Sequence, residues 1–376
     1  MDLAIILTYR CNSKCSMCNI WKYPTHKKEE VGLDVLSKIP SGIDYLNLTG
    51  GEPTLREDLS EIVDLLYPKA MQLEISSNGL HPEKLVPIVR KYPAMKIRVS
   101  LEGIGRRNDE IRGEKNGFDT KLRGLIEMKK AGGRDLGFAT TIQDDNVDDV
   151  AELFSISKKH GLEMATSVLH NGFQFHKSDN LPYSRLRVAR GIERLIVEEL
   201  RTWSVKSWFR GYLNLGLIGK VLGHDRMLPC TAGTDFVFVD PWADMFACNV
   251  RHDLKVGNLR MQGWDEVMSG EQMRRARGHV AVCKQNCWMV GSAKTAMRHP
   301  KFAKLPRLRP LVWVVQNKLR AMLSLRIPFE RYVDYGNVQK DGFVSKREYF
   351  LERTVKRVAS SAQDEHYVTH GPFDNR

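Results

Sequence analysis

The first 170 residues alternate six times between short β-rich runs and amphipathic helical runs, and this alternation limits the possible folds more than any other feature. The expected strands are Leu3–Leu7, Tyr45–Leu48, Gln72–Ser76, Lys96–Ser100, Leu136–Thr141 and Glu163–Leu169. Helical patterning fills the gaps at Leu55–Leu66, Pro82–Arg90, Thr120–Lys130 and Val147–Lys159. Strands joined through helices run parallel, which gives an α/β class. Six units are too many for a simple open sheet and two short of a full eight-fold barrel. The expectation is a partial (βα)6 TIM-like barrel over residues 1–180. A helical connector over 181–227 follows, with Val188, Ile192, Leu195 and Leu200 at helical spacing. Residues 228–292 then form a small cysteine-rich domain of β-hairpin and helix, the helix at Trp264–Arg277, and 293–376 form a basic tail.

Each unusual loop follows one of these strands directly: Cys11–Cys18, Gly50-Gly51-Glu52-Pro53, Ser77-Asn78-Gly79 and Glu102-Gly103. In barrel-like parallel sheets the loops at the carboxyl ends of the strands build the site. The four loops are therefore expected to converge on one mouth.

Charge is unevenly spread. The net charge is +13, of which 17 Lys/Arg against 8 Asp/Glu between Ala293 and Arg376 contribute +9, leaving +4 for residues 1–292. A basic tail points to an anionic partner or to a solvated basic surface. Its segment Leu305–Ile327 interleaves Leu311, Val312, Trp313, Val314, Val315, Leu319, Met322 and Leu325 with Lys304, Arg307, Arg309, Lys318, Arg320 and Arg326. Such a helix either lies on an anionic membrane or packs on the barrel. No apolar run approaches the ~20 residues that span a bilayer. Met1–Leu7 lacks a basic leader and reads as a strand rather than a signal peptide. The expected location is cytoplasmic, with peripheral contact at the inner face of the membrane through the tail; nucleic acid is not an expected partner.

The seven cysteines divide into three and four. An odd count without an export signal argues for a reduced compartment and against a disulfide framework. Cys11, Cys15 and Cys18 in one loop suit three corners of a cubane iron–sulfur cluster, leaving the fourth iron for an outside ligand; structural zinc takes four ligands. Cys230, Cys248, Cys283 and Cys287 can close either a zinc site or an iron–sulfur cluster, and spacing does not choose between them.

Cys-x3-Cys-x2-Cys after the first strand, with Gly50-Gly51-Glu52-Pro53 after the second, resembles the radical S-adenosylmethionine (SAM) superfamily across about residues 1–170. The resemblance implies a 4Fe–4S cluster on Cys11, Cys15 and Cys18 that binds SAM, and a 5′-deoxyadenosyl radical that abstracts hydrogen from a substrate. It further implies that Gly50, Gly51 and Glu52 receive the methionine amino group, with Pro53 shaping the turn. Ser77 and Asn78 fit the contact after the third strand, or serve the turn itself, and Ser100 and Glu102 fit the ribose position after the fourth. Arg112 either pairs with the SAM carboxylate or is a surface helix charge, and Ile142 packs on adenine. The residue before the third cysteine is commonly aromatic in the family and here is Met17, so adenine packing is expected to be altered there.

The second cysteine set, with its hairpin, Gly257-Asn258-Leu259, Trp264 and closing Cys283-x3-Cys287-Trp288, resembles the twitch/SPASM domain, which implies an auxiliary 4Fe–4S cluster. Where that hairpin turn usually has glycine, Asp244 is the expected replacement. Radical SAM dehydrogenases of cyclitols share this layout. The leading expectation is therefore oxidation of a small polar substrate (sugar, cyclitol or related alcohol) with electron exit through the auxiliary cluster. The alternative is a maturase forming crosslinks in a ribosomally made peptide. A low-potential donor such as flavodoxin or ferredoxin is the implied reductant. No catalytic base is legible; His170, just past the sixth strand, is the candidate, against a capping or structural role.

Overall fold

The computed structural model of the chain describes residues 1–298, 308–336 and 338. Short runs carrying two or more large apolar residues form β1 (Asp2–Ile6), β2 (Tyr45–Thr49), β3 (Leu73–Ser77), β4 (Lys96–Ser100), β5 (Asp135–Ile142) and β6 (Glu163–Val168). They lie side by side in chain order, each parallel to the next. Every expected strand falls within one residue of its observed ends. The crossover helices are α1 (Leu33–Leu36), α2 (Leu59–Leu66), α3 (Pro82–Lys91), α4 (Arg106–Arg112), α5 (Gly117–Lys130) and α6 (Val150–Lys159). Their inward residues, including Ile62, Val63, Leu85, Leu125 and Leu153, join Ile5, Leu48, Ile75, Val99 and Phe138 in one core.

The cysteine-rich segment continues this sheet. β7 (Phe236–Val239) pairs parallel with β1, and β8 (Asp244–Phe246) and β9 (Lys255–Asn258) extend it antiparallel, giving nine strands in the order β6-β5-β4-β3-β2-β1-β7-β8-β9. The expected Trp264–Arg277 helix is two: α9 (Trp264–Ser269) and α10 (Glu271–Ala281), broken where Gly270 takes an extended conformation. The hairpin expectation also needs correcting. Asp244 is an ordinary strand residue, and the left-handed turn position is Ala243, at φ 69°. The Asp240 carboxylate secures that turn by accepting from the Trp242 and Asp244 amides, both at 2.9 Å.

The connector forms α7 (Arg185–Arg201) and α8 (Val205–Leu222), an antiparallel pair beside β6. Thr166 of β6 donates to Asn214 at 2.6 Å, and Asn214 donates to the Glu199 carboxyl at 2.8 Å, tying both helices to the strand. Of the basic tail, α11 (Val290–Arg298) docks by β7, where Arg298 donates to Asp2 at 2.7 and 2.8 Å. α12 (Leu308–Met322) seats Trp313, Val314 and Ala321 on α7 and α8. It packs on the body as one reading expected, but its outer face carries a second apolar stripe of Leu311, Val312, Val315, Leu319 and Met322, which is exposed. Lys304, Leu305 and Arg307 lie outside the described residues. Among the described residues no helix is long and apolar enough to cross a membrane.

Candidate functional site

The end of β2 clasps the base of the first cysteine loop. The Gly51 amide donates to the Thr8 carbonyl at 2.7 Å and the Glu52 amide to that of Arg10 at 2.8 Å. A Cβ on Gly51 would stand 2.2 Å from the Arg10 oxygen and one on Gly50, at φ 148°, 2.5 Å from the Thr8 oxygen. Two glycines are needed because backbone lies against backbone here. The loop base is fixed from the other side by Arg10, whose guanidinium forks onto the buried Glu30 carboxylate with two 2.8 Å bonds.

Glu52 is fully buried and its carboxylate is spent inside the protein. One oxygen accepts from the Thr54 amide and hydroxyl at 2.9 and 2.7 Å and from Ser77 at 2.8 Å; the other accepts from the Asn78 amide at 2.5 Å. It knots the end of β2 to the end of β3. Asn78 in turn donates to Ser13 and Asn12 in the cysteine loop, at 2.9 and 2.5 Å.

Above this knot is a cavity of about 200 Å³, lined by Cys11, Cys15 and Cys18 on one side and by Gly50, Gly51, Ser77, Asn78, Ser100 and Glu102 on the other. The four strand-end loops do converge, as expected. Burial pushes the Cys11 thiol up to about 11 and the Cys18 thiol to about 12, and raises Cys15 as well. Buried thiols of this kind become thiolates only against a cation, which bound iron provides. Arg112 supplies part of that charge. It sits buried at the end of α4, not on the surface, and its guanidinium donates to Glu102 at 3.0 Å and Glu114 at 3.1 Å. Burial raises the Glu102 carboxyl and Arg112 pulls it back down. Glu114 also accepts from Ser13 at 2.6 Å and pairs with the buried Lys121.

The segment after β6 folds back over the cysteine loop. Phe175 accepts from the Asn19 amide at 2.8 Å, and Asn180 donates to the carbonyls of Met17 and His170 at 2.9 and 3.0 Å. His170 lines the cavity, its Nδ1 donating to the Val168 carbonyl at 3.0 Å. Nε2 is then a bare acceptor, buried and, among the described residues, without a partner. Burial lowers this imidazole to about 3, with the Lys220 charge pushing the same way, so it serves as a hydrogen-bond acceptor and is a poor base at neutral pH.

Not every candidate reaches the cavity. Pro53 begins the short turn after Glu52 without lining it, and Ile142 is a fully buried core residue at the end of β5. Conversely Thr49, Thr141, Trp21, Phe175 and Asn180 line it without a motif to announce them. Trp21 and Phe175 bring aromatic rings to the cavity that Met17 also lines. Ser77 and Asn78 both line the cavity and serve the turn, since the Gly79 amide donates to the Ser77 hydroxyl and the Leu80 amide to the Asn78 carboxamide.

The second cysteine set gathers beyond β8. Cys248 is raised by burial and by the neighbouring Cys287 and Cys230; Cys230 is raised by burial and by Cys287 and Cys283, with Arg226 opposing. Among the described residues no three His, Cys, Asp or Glu side chains sit close enough to grip one ion. The three-thiol set fits a cluster with one open apex and the four-thiol set a closed one.

Two family matches agree with this arrangement: the radical SAM superfamily over residues 5–156 and the SPASM iron–sulfur cluster-binding domain over 230–288. The mycofactocin maturase MftC of Mycolicibacterium smegmatis is 26% identical over 306 residues, covering 75% of this chain and 76% of that protein. The Fe-coproporphyrin III synthase of Methanosarcina barkeri is 33% identical over 156 residues, covering 40% of this chain and 39% of that protein. The crystal structure of Streptococcus suis SuiB bound to precursor peptide SuiA superposes with a TM-score of 0.57 at 14% identity, covering 76% of this chain and 71% of that one, a likeness of fold. The chain belongs to the radical SAM superfamily, as an enzyme with a C-terminal SPASM iron–sulfur domain, and its cofactors are SAM and 4Fe–4S clusters.

Proposed function

We propose that this radical SAM enzyme is a maturase that modifies a ribosomally made peptide. The observation that carries the reading is the relationship to the maturase MftC across three quarters of both chains, spanning both domains. The SuiB structure, which holds a precursor peptide, adds support at the level of fold. The sequence favoured a sugar or cyclitol alcohol with a dehydrogenase outcome; the maturase relationship favours a peptide instead.

In this reading Cys11, Cys15 and Cys18 hold the first cluster, and Cys230, Cys248, Cys283 and Cys287 the auxiliary one. When bound, the first cluster and SAM supply the 5′-deoxyadenosyl radical for hydrogen abstraction. Gly50 and Gly51 leave backbone open to an amino group, while Glu52 positions that backbone from beneath. Ser100 and Glu102 offer acceptors to hydroxyls on the opposite wall, His170 offers one more through Nε2, and Trp21 with Phe175 excludes water. Arg112 offsets thiolate charge beside Cys15. Flavodoxin or ferredoxin is the proposed reductant.

The test is anaerobic turnover of the reconstituted, reduced protein with SAM and a panel of synthetic precursor peptides, read by mass spectrometry. The expected result is loss of two hydrogens from the peptide with 5′-deoxyadenosine formed alongside, and neither product from Cys11/Cys15/Cys18→Ala. An unchanged peptide, with a sugar or cyclitol oxidised under the same conditions, overturns the reading.

A membrane contact belongs to the same proposal. The outer stripe of α12 is apolar, Arg320 and Arg326 flank it, and the exposed Trp203 stands beside it under Lys318 (4.9 Å to the ring). Apolar side chains, tryptophan and cations suit an anionic lipid surface. Val315→Glu with Leu319→Glu is expected to weaken sedimentation with phosphatidylglycerol vesicles at least tenfold. Equal binding of wild type and variant, or equal binding to neutral vesicles, counts against it.

A further inference from the structure

Lys220 is an unusual residue in this molecule. It lies on α8 one turn beyond Gly216, so both occupy the same helix face. At Gly216 the indole of Trp288 lies where a Cβ would sit, 2.2 Å from its nearest atom, and that indole donates to the Leu213 carbonyl at 2.8 Å. Asn286 donates to the Lys220 carbonyl at 3.1 Å. These contacts bring the Cys283–Cys287 segment onto α8 and set the Lys220 ammonium in the interior, 5% exposed, next to Cys287.

Its Nζ donates to the Leu169 carbonyl at 3.1 Å, and among the described residues no carboxylate pairs with it. A buried ammonium without a counter-ion is costly. The negative charge within reach is that of the auxiliary cysteines. Two more cations face the same set. Arg226 donates to the Cys287 carbonyl and stands 3.7 Å from the Cys287 sulfur, and Arg251, forked on Asp253, also donates to the Cys283 sulfur. Leu169, which holds Lys220, lines the first cavity, so the ammonium stands between the two sites.

A cluster ligated by four thiolates is anionic, and adding one electron makes it more so. Nearby cations and hydrogen bonds to the sulfurs favour the reduced form. We infer that Lys220, with Arg226 and Arg251, is the counter-charge of the auxiliary cluster and raises its reduction potential, making that cluster an electron acceptor beside the radical site. Lys220 is a positioning residue in this role, acting through the cluster. The inference rests on the auxiliary cluster and not on the peptide substrate; the test uses no substrate, so the two readings fail separately.

The experiment is an EPR-monitored redox titration of the full chain carrying Cys11/Cys15/Cys18→Ala, which leaves the auxiliary cluster as the one observed. At a fixed ambient potential, Lys220→Met is expected to lower the ratio of reduced to oxidised cluster about tenfold, equivalent to about 59 mV for one electron. Arg226→Gln shifts it the same way, and Lys220→Arg restores the wild-type midpoint. Unmoved midpoints in Lys220→Met and Arg226→Gln at full iron content overturn the inference, as does Lys220→Arg shifting as far as Lys220→Met. Should Lys220→Met fail to hold iron, Arg226→Gln decides by the same reading. Should both fail, recovery of iron by Lys220→Arg and Arg226→Lys upholds the counter-charge, and no recovery overturns it.

Discussion

Gly51→Ala is expected to abolish assembly of the first cluster and to lower SAM cleavage more than a hundredfold, while the auxiliary cysteines still load. The added Cβ would stand 2.2 Å from the Arg10 carbonyl oxygen, 2.7 Å from its carbon and 2.8 Å from the Tyr9 oxygen. All three are backbone atoms, so no rotamer change relieves the clash. The chain must separate between the end of β2 and the residue just before Cys11, breaking the 2.7 and 2.8 Å amide bonds that clasp the loop. The cysteine spacing survives this, but the sulfurs no longer share one cavity with the Gly50-Gly51 wall. Gly278→Ala is the control: it lies within α10 with nothing inside 4 Å of an added Cβ, and alanine there is expected to stabilise by about 0.5–1 kcal/mol. Iron per chain and 5′-deoxyadenosine formation, measured anaerobically, separate the outcomes. A Gly51→Ala protein with wild-type iron and wild-type cleavage would refute the clasp.

The features that sequence reading captured are local ones. Strands of five to eight residues announce themselves by their own apolar and β-branched positions, and cysteine spacing by its own offsets. What it missed depends on contacts between distant segments. Glu52 reads as a ligand for an ammonium because nothing local says that Thr54, Ser77 and Asn78 occupy both its oxygens. Phe175 and Asn180 reach the cavity because the chain after β6 returns to Asn19 and Met17, about 160 residues earlier by sequence number. Arg112 ends a helix whose pattern leaves its environment open; burial between two carboxylates and a cysteine loop decides its role. Lys220 sits in an apolar helix with no motif, and only the docking of Trp288 on Gly216 brings it beside Cys287. Ala243 carries the left-handed turn in place of glycine because the Asp240 carboxylate holds the backbone on both sides of it.

Arg112→Gln is expected to destabilise the barrel by about 3–5 kcal/mol, because it leaves the buried Glu102 carboxylate without its paired cation. Glu102 is 2% exposed; its charge is held by the Arg112 guanidinium at 3.0 Å and by the Thr141 amide at 2.6 Å. Burial already raises the Glu102 carboxyl, and Arg112 is the chief opposing influence. Without it the folded-state value rises further above that of the unfolded chain. The folded protein then binds the extra proton, so stability falls as pH climbs from the ordinary carboxylate range through the raised value. The deficit of Arg112→Gln should therefore be larger at pH 8 than at pH 5, the reverse of a simple acid-labile ion pair. Glu102→Gln on top of Arg112→Gln is expected to recover much of the loss and flatten its pH dependence, a coupling that a double-mutant cycle measures directly. Lysine at 112 should rescue poorly, since one ammonium cannot span Glu102 and Glu114 as the guanidinium fork does through Nη1 and Nε. Anaerobic thermal unfolding of the four variants at both pH values decides it: equal deficits at pH 5 and pH 8, or additive losses in the double variant, would show that the guanidinium is not holding the Glu102 charge.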